Sequence, residues 1–358
     1  MWCMNILRGK MIDFRMAVIG FGNVGQGFSQ IIKQNIDDLH RRYGMKLSIV
    51  AVSDINKGSV YDPEGLDIDL LLQAAAQNDL RTVPAKYHGW DALKTICESN
   101  TNVVVEVSYT DLKNGEPALT YIKTALMNHK HVITTNKGPI ALHYKQLAEL
   151  AQQMQVGLGF EGTVMSGTPA LGLAKDYLFA AGIYHIQGIL NGTTNYILSQ
   201  MDSGAPYEQA LAEAQRLGYA EADPRGDVEG YDAAAKVVIL AKLFMDASIS
   251  LKDVERTGIT HLTQADIAQA RQAGECWKLI GSIEKQERKV IASVQPMRLA
   301  RTHPLAGVSG ATNAITYSTS LLGEVTLIGA GAGRLETGYA ILQDLLSIMR
   351  KDVKDRTT

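Results

Sequence analysis

Between Arg15 and Gly44 the hydrophobic rhythm of the chain changes. Arg15 to Ile19 is an almost wholly apolar run that predicts a short buried strand. Beyond GFGNVG the apolar positions recur at helical spacing and predict a long helix ending near Gly44. Three further runs, KLSIVAVSD, NVVVEVS (Asn102 to Ser108) and HVITTNK (His131 to Lys137), are rich in β-branched residues, and the last two follow helical patterns. Continuous apolar runs of this kind suit parallel strands buried on both faces. The alternation predicts an α/β fold, a doubly wound parallel sheet over residues 15 to about 150.

From about Val156 the texture shifts to glycine turns and short strands, VGLGFEGTVMSGTP and YHIQGILNGTTNYILSQM, followed by helices expected at 207–217 and 233–245. KVIASVQPMRL and TNAITYSTSLLGEVTLIGAGAG read as antiparallel strands, and GYAILQDLLSIMRKDV as an amphipathic terminal helix. The expected organisation is a dinucleotide-binding domain over 1–150, with a helix at about 335–358 packing back on it. Residues 151–334 are expected to form a second, α+β, domain. The 358 residues suffice for both.

A net charge of -2 gives no reason to expect nucleic acid or an anionic membrane as partner, so a small molecule is the expected ligand. The cysteines Cys3, Cys97 and Cys276 lie far apart and form no metal-binding spacing, which fits a reducing cytoplasm. The start, MWCMNILRGKMIDFR, has charges too early and an apolar run too short for a signal peptide. Translation is expected to begin at Met11 or Met16 in place of Met1, since the first strand starts there.

GFGNVG matches GxGxxG, a weak pattern alone but here preceded by a strand, followed by a helix, and succeeded by a strand ending in Asp54. In this Rossmann-type setting Gly20 permits the tight turn, Gly22 admits a pyrophosphate, and Gly25 lets helix and strand close. Phe21, Asn23 and Val24 complete the loop, and the helix N-terminus favours the phosphate charge. Asp54 lies 29 residues past Gly25, later than the usual spacing of about 20 because the first helix is long. An acid there takes ribose hydroxyls and repels a 2'-phosphate, so NAD is favoured over NADP, although Lys57 partly serves NADP. Ser108 and Lys137, at the carboxyl ends of later strands, belong at the nicotinamide side; for Lys137 a surface lysine ending a strand is the alternative.

Oxidising an alcohol with a nicotinamide requires a group that accepts the hydroxyl proton. His303, in RTHPLAGV, is the least ordinary of the eight histidines. Lys236 is the better candidate. Within EADPRGDVEGYDAAAKVVILAK, Asp232 reads as a helix N-cap with Lys236 one turn on, on the same face. The helix dipole and burial oppose the charged ammonium while Asp227 and Asp232 favour it, and such opposed pressures suit a proton carrier. A structural Asp232–Lys236 pair shares this spacing. Asp223, Asp227, Glu229 and Asp232 do not follow a calcium-loop order and have no histidine among them. Clustered acids beside a lysine suit an amino-acid substrate.

From about Met16 to the terminal helix the chain resembles the homoserine dehydrogenases, in GFGNVG, NGTTNYILSQM (Asn191 to Met201) and GYAEADPRGDVEGYDAAAKVVILAK from Gly218. The resemblance implies interconversion of homoserine and aspartate 4-semialdehyde with NAD or NADP, on the path to threonine and methionine, by a cytoplasmic homodimer. It implies Lys236 as proton donor and acceptor, with Lys137 close to substrate and nicotinamide. It further implies Glu221 and Asp232 as substrate-binding acids, Asp227 supporting the reacting end, and Gly192, Thr193 and Tyr219 lining the amino-acid pocket. Glu161, Val164, Ser166 and Thr168 match a site where backbone carbonyls hold a sodium ion, and Gly331 a glycine closing over the cofactor. The chain ends soon after GAGAG, as expected of a short form without a regulatory domain or a fused aspartate kinase.

Two other enzymes and a non-enzyme compete. A dehydrogenase of sugars or cyclic alcohols accounts for the lysines but not the acid cluster. An aspartate-semialdehyde dehydrogenase needs a nucleophilic cysteine in a glycine-rich turn, which neither Cys97 nor Cys276 occupies. A dinucleotide sensor has no use for Lys236 and its acids.

Overall fold

The computed structural model describes residues 11–287 and 289–355. Met1, Cys3 and the rest of 1–10 lie outside the described residues. The chain divides into two compact units, residues 1–167 with 333–358, and 168–332.

The first unit begins with β1 (Ile12–Ile19) and α1 (Asn23–Tyr43), followed by β2 (Met45–Asp54) and β3 (Gly58–Tyr61). Next come α2 (Ile68–Ala76), β4 (Tyr87–His88), α3 (Ala92–Glu98), β5 (Val103–Glu106) and α4 (Ala118–Met127). β6 (His131–Thr134), α5 (Lys137–Gln153), β7 (Leu158–Gly159) and the one-turn α6 (Gly162–Met165) complete this part. The seven strands run in the order β4-β3-β2-β1-β5-β6-β7. β2, β1, β5, β6 and β7 are parallel neighbours, and β3 is antiparallel to β2. The sheet is the doubly wound one the sequence predicts, and its order reverses between β1 and β5, where such folds open a crevice at their carboxyl ends. β1 starts earlier than expected; Met16 sits mid-strand, paired with Ile49.

α1 ends where Gly44 adopts φ 65°, its N–H returning to the carbonyls of His40 and Leu39. Left-handed backbone favours glycine at a helix C-terminus, and His40, Arg41 and Arg42 complement the dipole there.

The second unit opens with α7 (Ala170–Leu173), β8 (Ile183–Ile189), α8 (Gly192–Asp202), α9 (Tyr207–Arg216), α10 (Arg225–Val228) and α11 (Tyr231–Phe244). It continues with β9 (Glu255–Arg256), α12 (Gln264–Gln272), β10 (Glu275–Gln286), β11 (Lys289–Ala300), β12 (Thr312–Thr319) and β13 (Gly323–Ala330). Its six strands run β13-β12-β8-β10-β11-β9, antiparallel except for β11 with β9. α11 is buried continuously from Ala233 to Ala241, which is why its sequence lacks a polar stripe.

The chain then returns to the first unit as α13 (Arg334–Asp355). Ile341, Leu342, Leu345, Ile348 and Met349 join Phe14, Phe28 and Ile32 in one core. The approach to α1 is close: a Cβ on Gly27 would stand 2.0 Å from the Arg334 carbonyl oxygen. The division falls at Gly167, later than the expected 150, because β7 pairs with β6 and carries the sheet of the first unit past that point.

Candidate active site

In the first unit the glycine turn links β1 to α1. Gly20 has φ 90°, and a Cβ on it would meet the Val107 carbonyl oxygen at 2.6 Å, so the turn leans on the segment after β5. A Cβ on Gly25 would lie 2.8 Å from the Gly20 carbonyl oxygen, whereas one on Gly22 would meet nothing within 4 Å. Gly20 and Gly25 are thus required by the protein's own packing, and Gly22 borders open space. No side chain caps α1, and no acid occupies its first turn. Phe21, Gly22, Asn23 and Val24 present a helix N-terminus suited to a phosphate, so the turn fits a dinucleotide.

Asp54, at the end of β2, is tied into this turn. One carboxylate oxygen accepts the Phe21 N–H at 2.7 Å; the other accepts those of Asn56 and Lys57, both at 2.9 Å. The Lys57 ammonium lies 3.8 Å away. Burial raises the Asp54 pKa, but the three backbone donors and the Lys57 charge outweigh it, and the net direction is downward. The acid expected to receive ribose therefore also pins the glycine turn through backbone bonds, a role that spacing could not reveal.

Ser108 follows β5, and Lys137 is the first residue of α5, which Asn136 caps by accepting the Gly138 N–H at 3.2 Å. Glu106, at the end of β5 and fully buried, accepts from the Ser108 N–H at 2.9 Å and the Thr134 hydroxyl at 2.8 Å, and pairs with the Ser108 hydroxyl. Sequence reasoning missed Glu106; an acid inside an otherwise apolar strand was the available signal.

In the second unit Lys236 is buried in α11. Its ammonium donates to the Leu190 carbonyl at 2.6 Å and stands 2.8 Å from Asp232. Asn191 donates to Asp227 at 2.7 Å and to Asp232 at 3.1 Å, while its own side-chain oxygen caps α8 by accepting the Thr194 N–H at 2.9 Å. Asp227, Asp232 and Lys236 are thereby joined at the N-terminus of α8. Asp232 is not the N-cap of α11 as expected. Gly230 holds that position with φ 79°, and Asp232 lies inside the first turn. The left-handed backbone explains the displacement, since glycine adopts it without the strain an aspartate would suffer.

Gly192 and Thr193 form the first turn of α8. A Cβ on Gly192 would meet the Ala311 carbonyl oxygen at 2.6 Å, and the Thr193 hydroxyl donates to the Tyr219 carbonyl at 2.6 Å. Tyr219 and Glu221 are exposed on the segment after α9. Gly331 follows β13, where a Cβ would collide with the Asn313 side chain at 2.1 Å. Glu161, Val164 and Ser166 lie on and around α6, and Thr168 follows Gly167. Ser166 has φ 54°, which stops the helix and leaves last-turn carbonyls without a succeeding turn. His303 is engaged within its own turn, accepting the Leu305 N–H at 3.1 Å. Cys276 is buried, and burial pushes its thiol pKa up, as for an inert cysteine.

The family model for the NAD binding domain of homoserine dehydrogenase matches residues 20–161, and that for homoserine dehydrogenase matches 169–346. The chain belongs to the homoserine dehydrogenase family. It is 42% identical over 342 residues to the NAD(+)-dependent homoserine dehydrogenase of Pseudomonas canavaninivorans, with 94% of this chain and 97% of that protein covered. It is 39% identical over 339 residues to the homoserine dehydrogenase of Methanocaldococcus jannaschii, covering 94% and 99%. Among solved structures, homoserine dehydrogenase from Thiobacillus denitrificans superimposes with TM-score 0.84 at 31% identity, over 96% of this chain and 75% of that one. A hyperthermophilic archaeal homoserine dehydrogenase mutant in complex with NADPH gives TM-score 0.82 at 29% identity, over 95% and 98%. The chain is accordingly an NAD(P)-dependent oxidoreductase. No helix among the described residues is long and apolar enough to cross a membrane.

Proposed function

We propose that the protein interconverts L-homoserine and L-aspartate 4-semialdehyde, with NAD preferred over NADP and Lys236 as the proton carrier. The observation that carries this reading is the buried Lys236 ammonium held between the Leu190 carbonyl and Asp232. A lysine fixed by one neutral and one charged acceptor is oriented for a single proton path, and a neutral amine there takes the hydroxyl proton when the alcohol is oxidised. A bound nicotinamide supplies the hydride acceptor for that direction and the donor for the reverse.

Asp232 and Glu221 bind the substrate's amino-acid end, and Asp227 steadies the reacting end through Asn191. Gly192, Thr193 and Tyr219 line the pocket; the first turn of α8 favours a carboxylate there. Lys137 and Ser108 border substrate and nicotinamide, the turn from Gly20 to Gly25 takes the pyrophosphate, and Gly331 closes over the cofactor. For NAD over NADP the support is the carboxylate of Asp54, whose lowered pKa keeps it anionic where a 2'-phosphate would lie, together with the NAD(+)-dependence of the Pseudomonas relative. The carbonyls of Glu161, Val164, Ser166 and Thr168 are the proposed ligands of a sodium ion, for which the ending of α6 at Ser166 is the support.

A cytoplasmic homodimer completes the reading. Phe179, Leu321 and Leu322 are exposed, and the Leu321 N–H bonds to the Ala181 carbonyl at 3.2 Å, which brings the two segments that carry them together in the second unit. The test of function is purified protein with homoserine and either NAD or NADP, followed by absorbance of the reduced cofactor. Homoserine-dependent reduction, faster with NAD, is expected; none with either cofactor would overturn the reading.

A further inference from the structure

The carboxyl ends of β5 and β6 are joined by a chain of hydrogen bonds whose donor directions are fixed. The Gly138 N–H donates to the Asn136 side-chain oxygen, and the Asn136 N–H donates to the Thr134 hydroxyl oxygen at 3.0 Å. An N–H cannot accept, so the Thr134 hydrogen points to Glu106, 2.8 Å away. From the other side the Ser108 N–H donates to the second carboxylate oxygen at 2.9 Å. Glu106 therefore receives donors from both strand ends, and the Ser108 hydroxyl pairs with the same oxygen as the Ser108 N–H.

Such a group is costly to bury. Burial pushes the Glu106 pKa up, and the donations from Ser108, Thr134 and Asn136 offset this only in part, so the net direction is upward. An apolar side chain would avoid the cost of burying a polar group, so the carboxyl group requires a use. Its place supplies one. Ser108 abuts Gly20 of the dinucleotide turn, where a Cβ on Gly20 would touch the Ser108 backbone at 2.8 Å. Asn136 caps the helix that begins with Lys137. With the pyrophosphate on α1 and the ribose acid on β2, the other half of a dinucleotide extends over β5 and β6.

We propose that Glu106 is a positioning residue for the nicotinamide end: its buried carboxylate holds Ser108 and the start of α5 in one frame. The proposal rests on the reading of the protein as a nicotinamide dehydrogenase, and its test separates the two.

Dissociation constants for oxidised and reduced NAD are measured by calorimetry on the wild type and on Glu106→Gln, with thermal unfolding to establish that the variant folds. Turnover of homoserine is followed on the same preparations. Both constants are expected to stay within about threefold in Glu106→Gln while kcat falls about tenfold, because an amide has one oxygen and cannot accept from both strand ends. If the wild type binds neither form, the dehydrogenase reading itself falls. If it binds both and the folded variant keeps the wild-type kcat, the role of Glu106 falls. Thr134→Val keeps the carboxyl group and removes the link to α5. It is expected to leave both constants within about threefold but lower kcat about tenfold, with Thr134→Ser restoring it. A wild-type kcat in Thr134→Val overturns the positioning role, and this comparison decides the matter should Glu106→Gln not fold.

Discussion

Asn191 shows how one side chain organises charge. Its amide reaches both Asp227 and Asp232 while its oxygen caps α8, so the acid pair, the lysine partner and the helix N-terminus share one fixed point. Asn191→Ala removes the donor common to both carboxylates and the cap. It is expected to lower stability by about 1–3 kcal/mol in urea unfolding and to lower kcat/KM for homoserine by at least about tenfold. The Lys236–Asp232 pair was legible because both residues lie on one helix face one turn apart. Asn191 was not legible as their partner, since it comes from a different helix and only folding brings it to them. The misplaced N-cap has a local cause: Asp232 has the right side chain for a cap, but Gly230 has the backbone freedom that the turn into α11 demands. Asp54 supplies a pH prediction. Its folded pKa lies below its ordinary value, so its contribution to stability is present above about pH 4 and is lost as pH falls through the folded value. Unfolding of the wild type and Asp54→Asn, followed from pH 7 to pH 2, should differ at neutral pH and converge in acid.

At the scale of elements, the glycine turn separates folding from binding. Gly25 is packed against the Gly20 carbonyl, and Gly22 faces open space. Gly25→Ala is therefore expected to lower Tm and weaken cofactor binding together. Gly22→Ala should leave Tm within about 2 °C, because a methyl group meets nothing of the protein, yet weaken cofactor affinity about tenfold or more by occupying the space of the pyrophosphate. Thermal unfolding with and without NAD distinguishes the two. This much of the turn was legible, because GxGxxG between a strand and a helix carries its own geometry. The strap from Glu106 to Asn136 was not, since it depends on β5 and β6 lying side by side, a matter of sheet order that the pattern of strands does not specify by itself.

For the whole molecule, the alternation of strands and helices announced the doubly wound sheet, and the shift in texture announced a second unit. The sequence could not say that residues 151–167 stay with the first sheet, because a two-residue strand such as β7 leaves almost no hydrophobic signature. Nor could it separate an exposed apolar corner from a core: Phe179 and Leu321 look like any buried residues until the fold leaves them in solvent. If that corner is the dimer contact, Leu321→Asp combined with Phe179→Asp should yield a monomer by light scattering, with near-wild-type Tm at low concentration; an unchanged mass would place the contact elsewhere.

The proposed reaction rests above all on Lys236 as its proton carrier. The most direct measurement compares homoserine-dependent cofactor reduction in the wild type and in Lys236→Ala, with cofactor affinity determined on the same preparations. A loss of kcat of about a hundredfold to ten-thousandfold is expected, with cofactor affinity changed less than about threefold, because the glycine turn and the Asp54 bonds that hold it do not involve Lys236. Turnover in Lys236→Ala close to that of the wild type would contradict it and move the proton transfer to another group, Lys137 first among them.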